Sequence, residues 1–278
     1  MIDSVLMTAN GGFGDVACST CLLYYREVLW PGKRLIWLIH PDCKDVLQFN
    51  DKIDEVRVGD VRNGLFIDPK TTLTINTAPW SNQLMAAQGV PYALIPMRVV
   101  GQELKEWHPY IGFSKEEDAA AEVFVKSLPY PKTVMLETTC RSGQSSWGIG
   151  NSAEAMQICR KVMGPCNFLF ASKSGFAGTP KQSQGLEGEG VFELGSFTMR
   201  QCLPIFNRCH LMIGIASGLS CVFCSWQANP LVERVEFVYT RQFGTWPMAR
   251  GPLATATDVP TVYKEIEAAA TRVKASCG

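Results

Sequence analysis

The chain has 278 residues, a length that fits two domains of about 150 residues or one large α/β barrel. Hydrophobic residues make up 46% and charged residues 19%, which excludes a disordered chain and supplies ample apolar material for a core. Lysine plus arginine and aspartate plus glutamate are 26 each, so the net charge is zero, which argues against a dedicated nucleic-acid binder but not against a small anionic ligand.

Strands and helices alternate along almost the whole chain. Ser4 to Thr8 reads as a buried strand, followed by the glycine loop Asn10–Gly14. Asp15 to Leu29 has helical spacing, with Val16, Leu22, Leu23 and Val28 on one broad face, and Pro31-Gly32 ends it. A strand at Arg34–Ile39, a short helix at Pro41–Phe49 and strands at Glu55–Val58 and Thr72–Asn76 follow. Lys115 to Leu128 is a charged amphipathic helix stopped by Pro129-Tyr130-Pro131. The pattern then restarts with strand Thr133–Glu137, helix Ser152–Met163 and strand Asn167–Ala171. After a Gly- and Ser-rich loop, Ser172–Gly190, expected to be mobile, come strand Val191–Leu194, helix Thr198–Asn207, strand His210–Gly214 and helix Gly218–Gln227. Strand Val235–Tyr239 and a closing helix from Pro260 to about Lys274 complete it. Such alternation predicts βαβ units and parallel sheets. Two α/β halves are expected, residues 1–130 and 131–278. They carry 12 basic and 16 acidic residues (−4) and 14 basic and 10 acidic residues (+4), so an anionic ligand would prefer the second.

Met1 to Leu6 lacks the basic start of a signal peptide, and no apolar run approaches the roughly 18 residues of a membrane span, so a soluble cytoplasmic protein is expected. The 11 cysteines mostly sit among apolar neighbours and read as small hydrophobes. Cys18-x-x-Cys21 and Cys221-x-x-Cys224 look like paired metal half-sites, but both fall inside expected helices with apolar flanks, 199 residues apart, and core packing is the simpler reading. Neither a G-x-S-x-G elbow nor a Walker A motif occurs.

The loop between the first strand and first helix carries two readings. Gly12-x-Gly14-x-x-Ala17 matches the loose dinucleotide fingerprint, making an NAD- or FAD-dependent oxidoreductase a rival. The acidic partner that this fingerprint wants at the end of the second strand is displaced, since the chain there reads Ile39-His40-Pro41-Asp42. Asp15 follows Gly14 at the first turn of the helix. It reads either as an ordinary first-turn carboxylate favoured by the helix dipole or as a general base toward a hydroxyl.

Taken together these features resemble the heptosyltransferase-like glycosyltransferases, the family of ADP-heptose–lipopolysaccharide transferases. The residues that carry the resemblance are Gly14-Asp15-Val16, the helix ending Pro31-Gly32, His40-Pro41, Ile53-Asp54-Glu55-Val56, Thr138-Thr139 ahead of Trp147, and the strand, Ser217-Gly218-Leu219-Ser220 and helix unit at Ile213–Cys224. It spans about residues 3–226. The resemblance implies two Rossmann-like domains facing across a cleft (GT-B), with the acceptor on the N-terminal domain and a nucleotide-sugar donor on the C-terminal one. It implies inversion without a metal or other cofactor, and Asp15 as the base. Gly12, Phe13, Gly14 and His40 are then the acceptor-side candidates.

The chain departs from the family on the donor side. The lysine expected before the tryptophan of the 138–147 loop is absent, with Ser146 next to Trp147 and Arg141 the loop's one cation. Thr138, Thr139, Arg141, Ser142 and Ser145 are therefore expected to contact the diphosphate. The family's Asp-Ser/Thr-Gly is Ala216-Ser217-Gly218, and Cys221 stands where a histidine often follows. The amides opening the Ser217–Ser220 helix and Lys173 at a strand end are further phosphate candidates, against capping and a surface lysine as the plainer readings. His210 reads as structural, and Trp80, Trp107 and Trp147 as sugar platforms or core. The expected partners are a nucleotide-sugar and a hydroxyl-bearing acceptor: a carbohydrate, a protein, a small molecule or a modified nucleic-acid base. A nucleotide-sugar-binding protein without catalysis is the other alternative.

Overall fold

The computed structural model describes residues 2–9, 12–59, 68, 70–77, 90, 94–101, 107–137, 147, 149–171, 186–238 and 249–277. Strand β1 is Ser4–Thr8, β2 Arg34–Ile39, β3 Glu55–Val58 and β4 Thr72–Asn76. They form a parallel sheet in the order β3-β2-β1-β4. Helix α1 is Phe13–Ser19 and α2 is Arg26–Leu29, joined by a 3-10 segment, Thr20–Tyr25. The single helix expected over 15–29 is thus broken. A 3-10 turn advances about 20° more per residue than an α-turn, so six residues rotate the apolar face by about 120°. Leu22 and Leu23 stay buried, but Val28 swings out and is 67% exposed. Gly32, with φ of +64°, makes the left-handed turn into β2. The 41–49 segment is likewise a 3-10 turn, Pro41–Leu47.

Helices α3, Ile95–Val99, and α4, Lys115–Lys126, lead to the second sheet. A reciprocal cap starts α4: Glu117 N–H donates to Ser114 Oγ and Ser114 N–H to Glu117 Oε2. Then come β5 Thr133–Glu137, α5 Ile149–Met163, β6 Asn167–Phe170, β7 Val191–Glu193, α6 Cys202–Phe206 and β8 Leu211–Ile215. The chain continues through α7 Gly218–Val222, β9 Glu233–Phe237, β10 Leu253–Ala256 and α8 Val259–Ser276. All six strands are parallel, in the order β10-β9-β8-β5-β6-β7. Helices α6 and α7 are shorter than expected, and β10 and α3 are additions to the sequence reading. Among the described residues, no helix is long and apolar enough to cross a membrane.

Each face of the second sheet has its own core, as a fully covered parallel sheet requires. On one face Val134, Leu136, Phe168, Phe170 and Ile213 pack under α5 and α8. On the other, Met135, Leu169 and Met212 join a core that runs without interruption into Met7, Leu35, Trp37 and Ile39 of the first sheet, through Val16, Leu219 and Phe223. Although α4 precedes residue 130, it packs against α6 of the second half, with Phe124 against Phe197 and Arg208 Nη1 2.6 Å from Asp118 Oδ1.

Arg200 ties these parts together. It is 1% exposed, and each of its five guanidinium N–H donors has an acceptor. Nε donates to Asp45 Oδ1 at 3.2 Å, Nη1 to the Gly112 carbonyl and Glu117 Oε2, and Nη2 to Gln48 Oε1 at 3.0 Å and Glu117 Oε1. Phe49, held at φ of +55°, covers the guanidinium with its ring 4.8 Å away. Burial acts to raise the Glu117 pKa, but Arg200 and the Ser114 amide outweigh it and hold the carboxyl below its ordinary range. A carboxyl lowered in this way contributes stability above its unfolded pKa and loses it as pH falls through the folded one. Arg200→Ala, which leaves two carboxylates without their cation, is expected to cost about 3–5 kcal/mol in urea unfolding at pH 7 and to flatten the acid limb of stability. A cost under about 1 kcal/mol would contradict the bridging role.

Candidate functional site

Two interior strands, β1 and β8, each run straight into a helix at their C-terminal ends, where ligands of open α/β sheets sit. These two helix starts meet. A Cβ placed on Gly218 would lie 2.9 Å from Gly14 N, and one on Gly14 would lie 3.2 Å from Gly218 Cα. A side chain at Gly218 would force the backbones apart, and one at Gly14 would require them to give by a few tenths of an ångström. Further along the same pair of helices, Cys18 Sγ and Cys221 Sγ are 3.7 Å apart. The two Cys-x-x-Cys motifs, remote in sequence, thus share one helix contact. All four thiols are buried, and burial pushes Cys21 up to about 12. Among the described residues no group of three or more His, Cys, Asp or Glu side chains could hold a metal ion.

Asp15 is the third residue of α1 and is buried beside this contact. Its Oδ2 accepts the Gly12 N–H at 2.7 Å, which is the first-turn role foreseen for it. A carboxylate offers about four lone-pair sites, so this bond leaves base chemistry open. Phe13, Gly14 and Cys221 are its neighbours at the junction. His40 ends β2 on the same sheet edge but is exposed, and its Nδ1 accepts the Asp42 N–H at 3.3 Å, capping its own turn.

On the second-sheet side, Ser217 Oγ accepts from Leu219 N–H at 3.0 Å and Ser220 N–H at 3.3 Å and donates to Glu137. The Leu219 and Ser220 amides, two of the groups read as phosphate donors, are therefore taken by the cap. Ala216 is buried, with its N–H on the Phe237 carbonyl. Thr138, Thr139, Arg141, Ser142, Ser145 and Lys173 lie outside the described residues, as do Trp80 and most of the loop expected to be mobile. Trp147 belongs to the core, with Nε1 donating to Ser152 Oγ and its ring against Phe237 and Tyr263. Trp107 is partly buried against the core. His210 is structural as expected: Nδ1 accepts the Thr133 N–H and burial lowers its pKa, keeping it neutral.

The dinucleotide reading fits this geometry poorly. In that fingerprint the second glycine lets a pyrophosphate approach the backbone, whereas here Gly14 is closed by Gly218. The sequence reading overlooked Glu137, Glu236 and Arg234, three buried ionisable residues behind Ser217 and Ser220. The signal available was a charged residue inside otherwise apolar strands, as in Thr-Val-Met-Leu-Glu over 133–137.

No protein-family model matches the chain, and no curated protein matches it in sequence. Solved structures do resemble it. A glycosyl transferase family 9 protein from Veillonella parvula superposes with a TM-score of 0.68 at 15% identity, over 95% of this chain and 89% of that one. The E. coli ADP-heptose lipopolysaccharide heptosyltransferase II gives 0.64 at 12% identity, over 97% and 99%. The E. coli heptosyltransferase WaaC, solved with ADP, gives 0.61 at 10% identity, over 96% and 99%. The chain therefore has the two-sheet GT-B architecture of these proteins over most of its length.

The glycine pair is testable. Gly218→Ala, whose Cβ meets backbone at 2.9 Å, should cost about 1–3 kcal/mol in thermal unfolding, and Gly14→Ala less. Wild-type stability in Gly218→Ala would show that the helices do not meet as described.

Proposed function

We propose that the protein is a glycosyltransferase that moves a sugar from a nucleotide-sugar to an acceptor hydroxyl, inverting the anomeric carbon without a metal. The observation that carries this reading is the placement of Asp15. A carboxylate on the first turn of one sheet's helix stands beside the Ser217–Ser220 helix start of the other, at the C-terminal strand edges of both. The whole-chain likeness to proteins described as glycosyl transferases supports it, and two of those structures were solved with ADP or an ADP-sugar. ADP-sugars are accordingly the first donors to test.

In the proposed reaction Asp15 takes the proton of the acceptor hydroxyl as its oxygen bonds to the anomeric carbon. The bond from that carbon to the diphosphate breaks on the opposite face, and the nucleoside diphosphate leaves with the electron pair. Its growing charge calls for N–H donors or cations. Arg141, Lys173 and the hydroxyls of Thr138, Thr139, Ser142 and Ser145 are our candidates for that role, with Gly12, Phe13 and His40 on the acceptor side. The basic excess of residues 131–278 agrees with an anionic donor there.

Two measurements test this in order. A thermal-shift screen against ADP, UDP, GDP, CMP, TDP, their sugars, NAD and FAD identifies the donor, since a ligand at 100 times its Kd adds about 2.7 kcal/mol of stability. A shift with NAD or FAD alone would overturn the reading. Asp15→Asn then keeps an oxygen to accept the Gly12 N–H and so preserves the loop. It should lower turnover by about 100-fold or more while the nucleotide shift persists. Undiminished turnover would remove Asp15 from the mechanism. Donor binding by a wild type that never turns over would favour the non-catalytic alternative.

A further inference from the structure

Glu137 ends β5 and is 2% exposed. In register it pairs with Gly214 of β8, which pairs with Glu236 of β9, also 2% exposed. The row across three strands thus reads Glu–Gly–Glu, and Met212 Cε sits where a side chain at Gly214 would stand, 2.9 Å from the place of its Cβ. Arg234 lies two residues earlier on β9 and on the same face. Its guanidinium donates to the Ser220 and Phe223 carbonyls and to Cys224 Sγ. Two carboxyl groups and one guanidinium are therefore buried directly behind α7.

Counting hydrogens assigns a proton to this cluster. Ser217 Oγ already accepts two amide hydrogens, so its single hydroxyl hydrogen goes to Glu137 Oε1. Ser220 Oγ lies 2.7 Å from the Ile215 carbonyl and 3.1 Å from Glu137 Oε2. A hydroxyl has one hydrogen, and a carbonyl has none to give. Ser220 donates to Ile215, the shorter of its two contacts, since otherwise the two oxygens would meet lone pair to lone pair at 2.7 Å. The 3.1 Å contact with Glu137 Oε2 then holds a full hydrogen bond when Glu137 carries a proton and donates it, whereas an ionised carboxylate would have to share the one Ser220 hydrogen with the Ile215 carbonyl.

We propose that Glu137, carrying this proton, is a positioning residue: it fastens α7 through Ser217 and Ser220 and, through the Gly218–Gly14 contact, fixes where α1 holds Asp15. The inference rests on the reading of Asp15 as the base. The electrostatics agree with the hydrogen count. Burial raises the Glu137 carboxyl to about 8, Glu236 pushes the same way, and the two serines and Arg234 oppose. Among the described residues the other titratable neighbours are the thiols of Cys202 on α6 and of Cys221 and Cys224 on and just after α7, raised by burial and, for Cys221, first by its hydrogen bond with Cys18, and so uncharged at neutral pH.

The sign of the pH effect follows. The folded chain binds a proton at Glu137 that the unfolded chain releases above its ordinary carboxylate range. This contribution to stability is complete below the unfolded pKa and is lost as pH rises through about 8. Glu137→Gln keeps one acceptor for Ser217 and supplies N–H donors for Ser220, without a titration.

The experiment follows the full-length chain from pH 5 to 9.5 as wild type, Glu137→Gln and Glu137→Leu. The readouts are Tm without ligand, and kcat and KM with whichever ADP- or UDP-sugar the chain consumes. Wild-type Tm should fall towards pH 8 more steeply than that of Glu137→Gln, which becomes the more stable of the two at pH 9. Wild-type kcat should drop about tenfold between pH 7 and 9, with the limb absent in Glu137→Gln. In Glu137→Leu, kcat should be low at every pH, with donor KM changed less. Superimposed Tm–pH curves for wild type and Glu137→Gln would overturn the proton, and this readout needs no turnover. If the Tm curves differ but the kcat limbs coincide, the positioning role is overturned while the proton stands. Asp15→Asn assayed in parallel separates a failure of the base itself, which would overturn the link to Asp15.

Discussion

The constraint that positions the candidate site is the meeting of two backbones at Gly14 and Gly218. Everything that distinguishes this junction is one or two residues away from it. Asp15 follows one glycine, and Ser217, capped by its own two amides, precedes the other. Because any side chain at Gly218 would collide with the Gly14 amide, the first turns of α1 and α7 cannot separate in composition without separating in space. The positive ends of two short helices face one another here, which is unfavourable unless negative charge lies close. Asp15 supplies it on one side. On the other, the Ser217 hydroxyl takes the Leu219 and Ser220 amide hydrogens.

The halves are also held far from this junction, at Arg200. Its partners come from two stretches of the first half, Asp45 and Gln48, and Gly112 and Glu117. A buried guanidinium with every donor matched fixes direction as well as distance, because its fork is rigid. The continuous core through Met7, Trp37, Val16, Leu219 and Met212 fills the space between these two fastenings. Relative movement of the two sheets must therefore turn about the glycine contact or disturb Arg200. This is a narrower freedom than two domains on a linker would have.

Much of this architecture was legible from local pattern, and its limits have physical causes. The bounds of β1, β2, β3, β4 and β5 follow from β-branched and apolar runs bounded by turn residues. Strand β10, Leu-Ala-Thr-Ala, carries too little bulk to signal itself, and its place is fixed by pairing with β9. The helix expected over 15–29 failed because the 3-10 segment changes the period midway. At the site, Asp15 and Ser217-Gly218 stood out because glycine and capping residues mark strand-to-helix turns. Glu137 did not, because a single acid at the end of an apolar strand looks like the start of a polar loop. Its burial depends on Gly214 and Glu236, 77 and 99 positions away, and becomes evident only from strand register.

The departure at Cys221 has a physical counterpart at Cys18. With the two sulfurs 3.7 Å apart inside a closed helix contact, a longer side chain at 221 would have to displace Cys18 or force α1 and α7 apart at Gly14 and Gly218. The thiols are small and polarizable enough to fill that space. The hydrogen bond to Cys18 and burial raise Cys221 well above its ordinary pKa, so this thiol adds no charge next to Asp15. An ionisable imidazole there would place a proton donor and a potential cation beside the carboxylate. With cysteine, the acid–base character of this side of the junction is left to Asp15 and Glu137, one proposed to take a proton and the other to keep one.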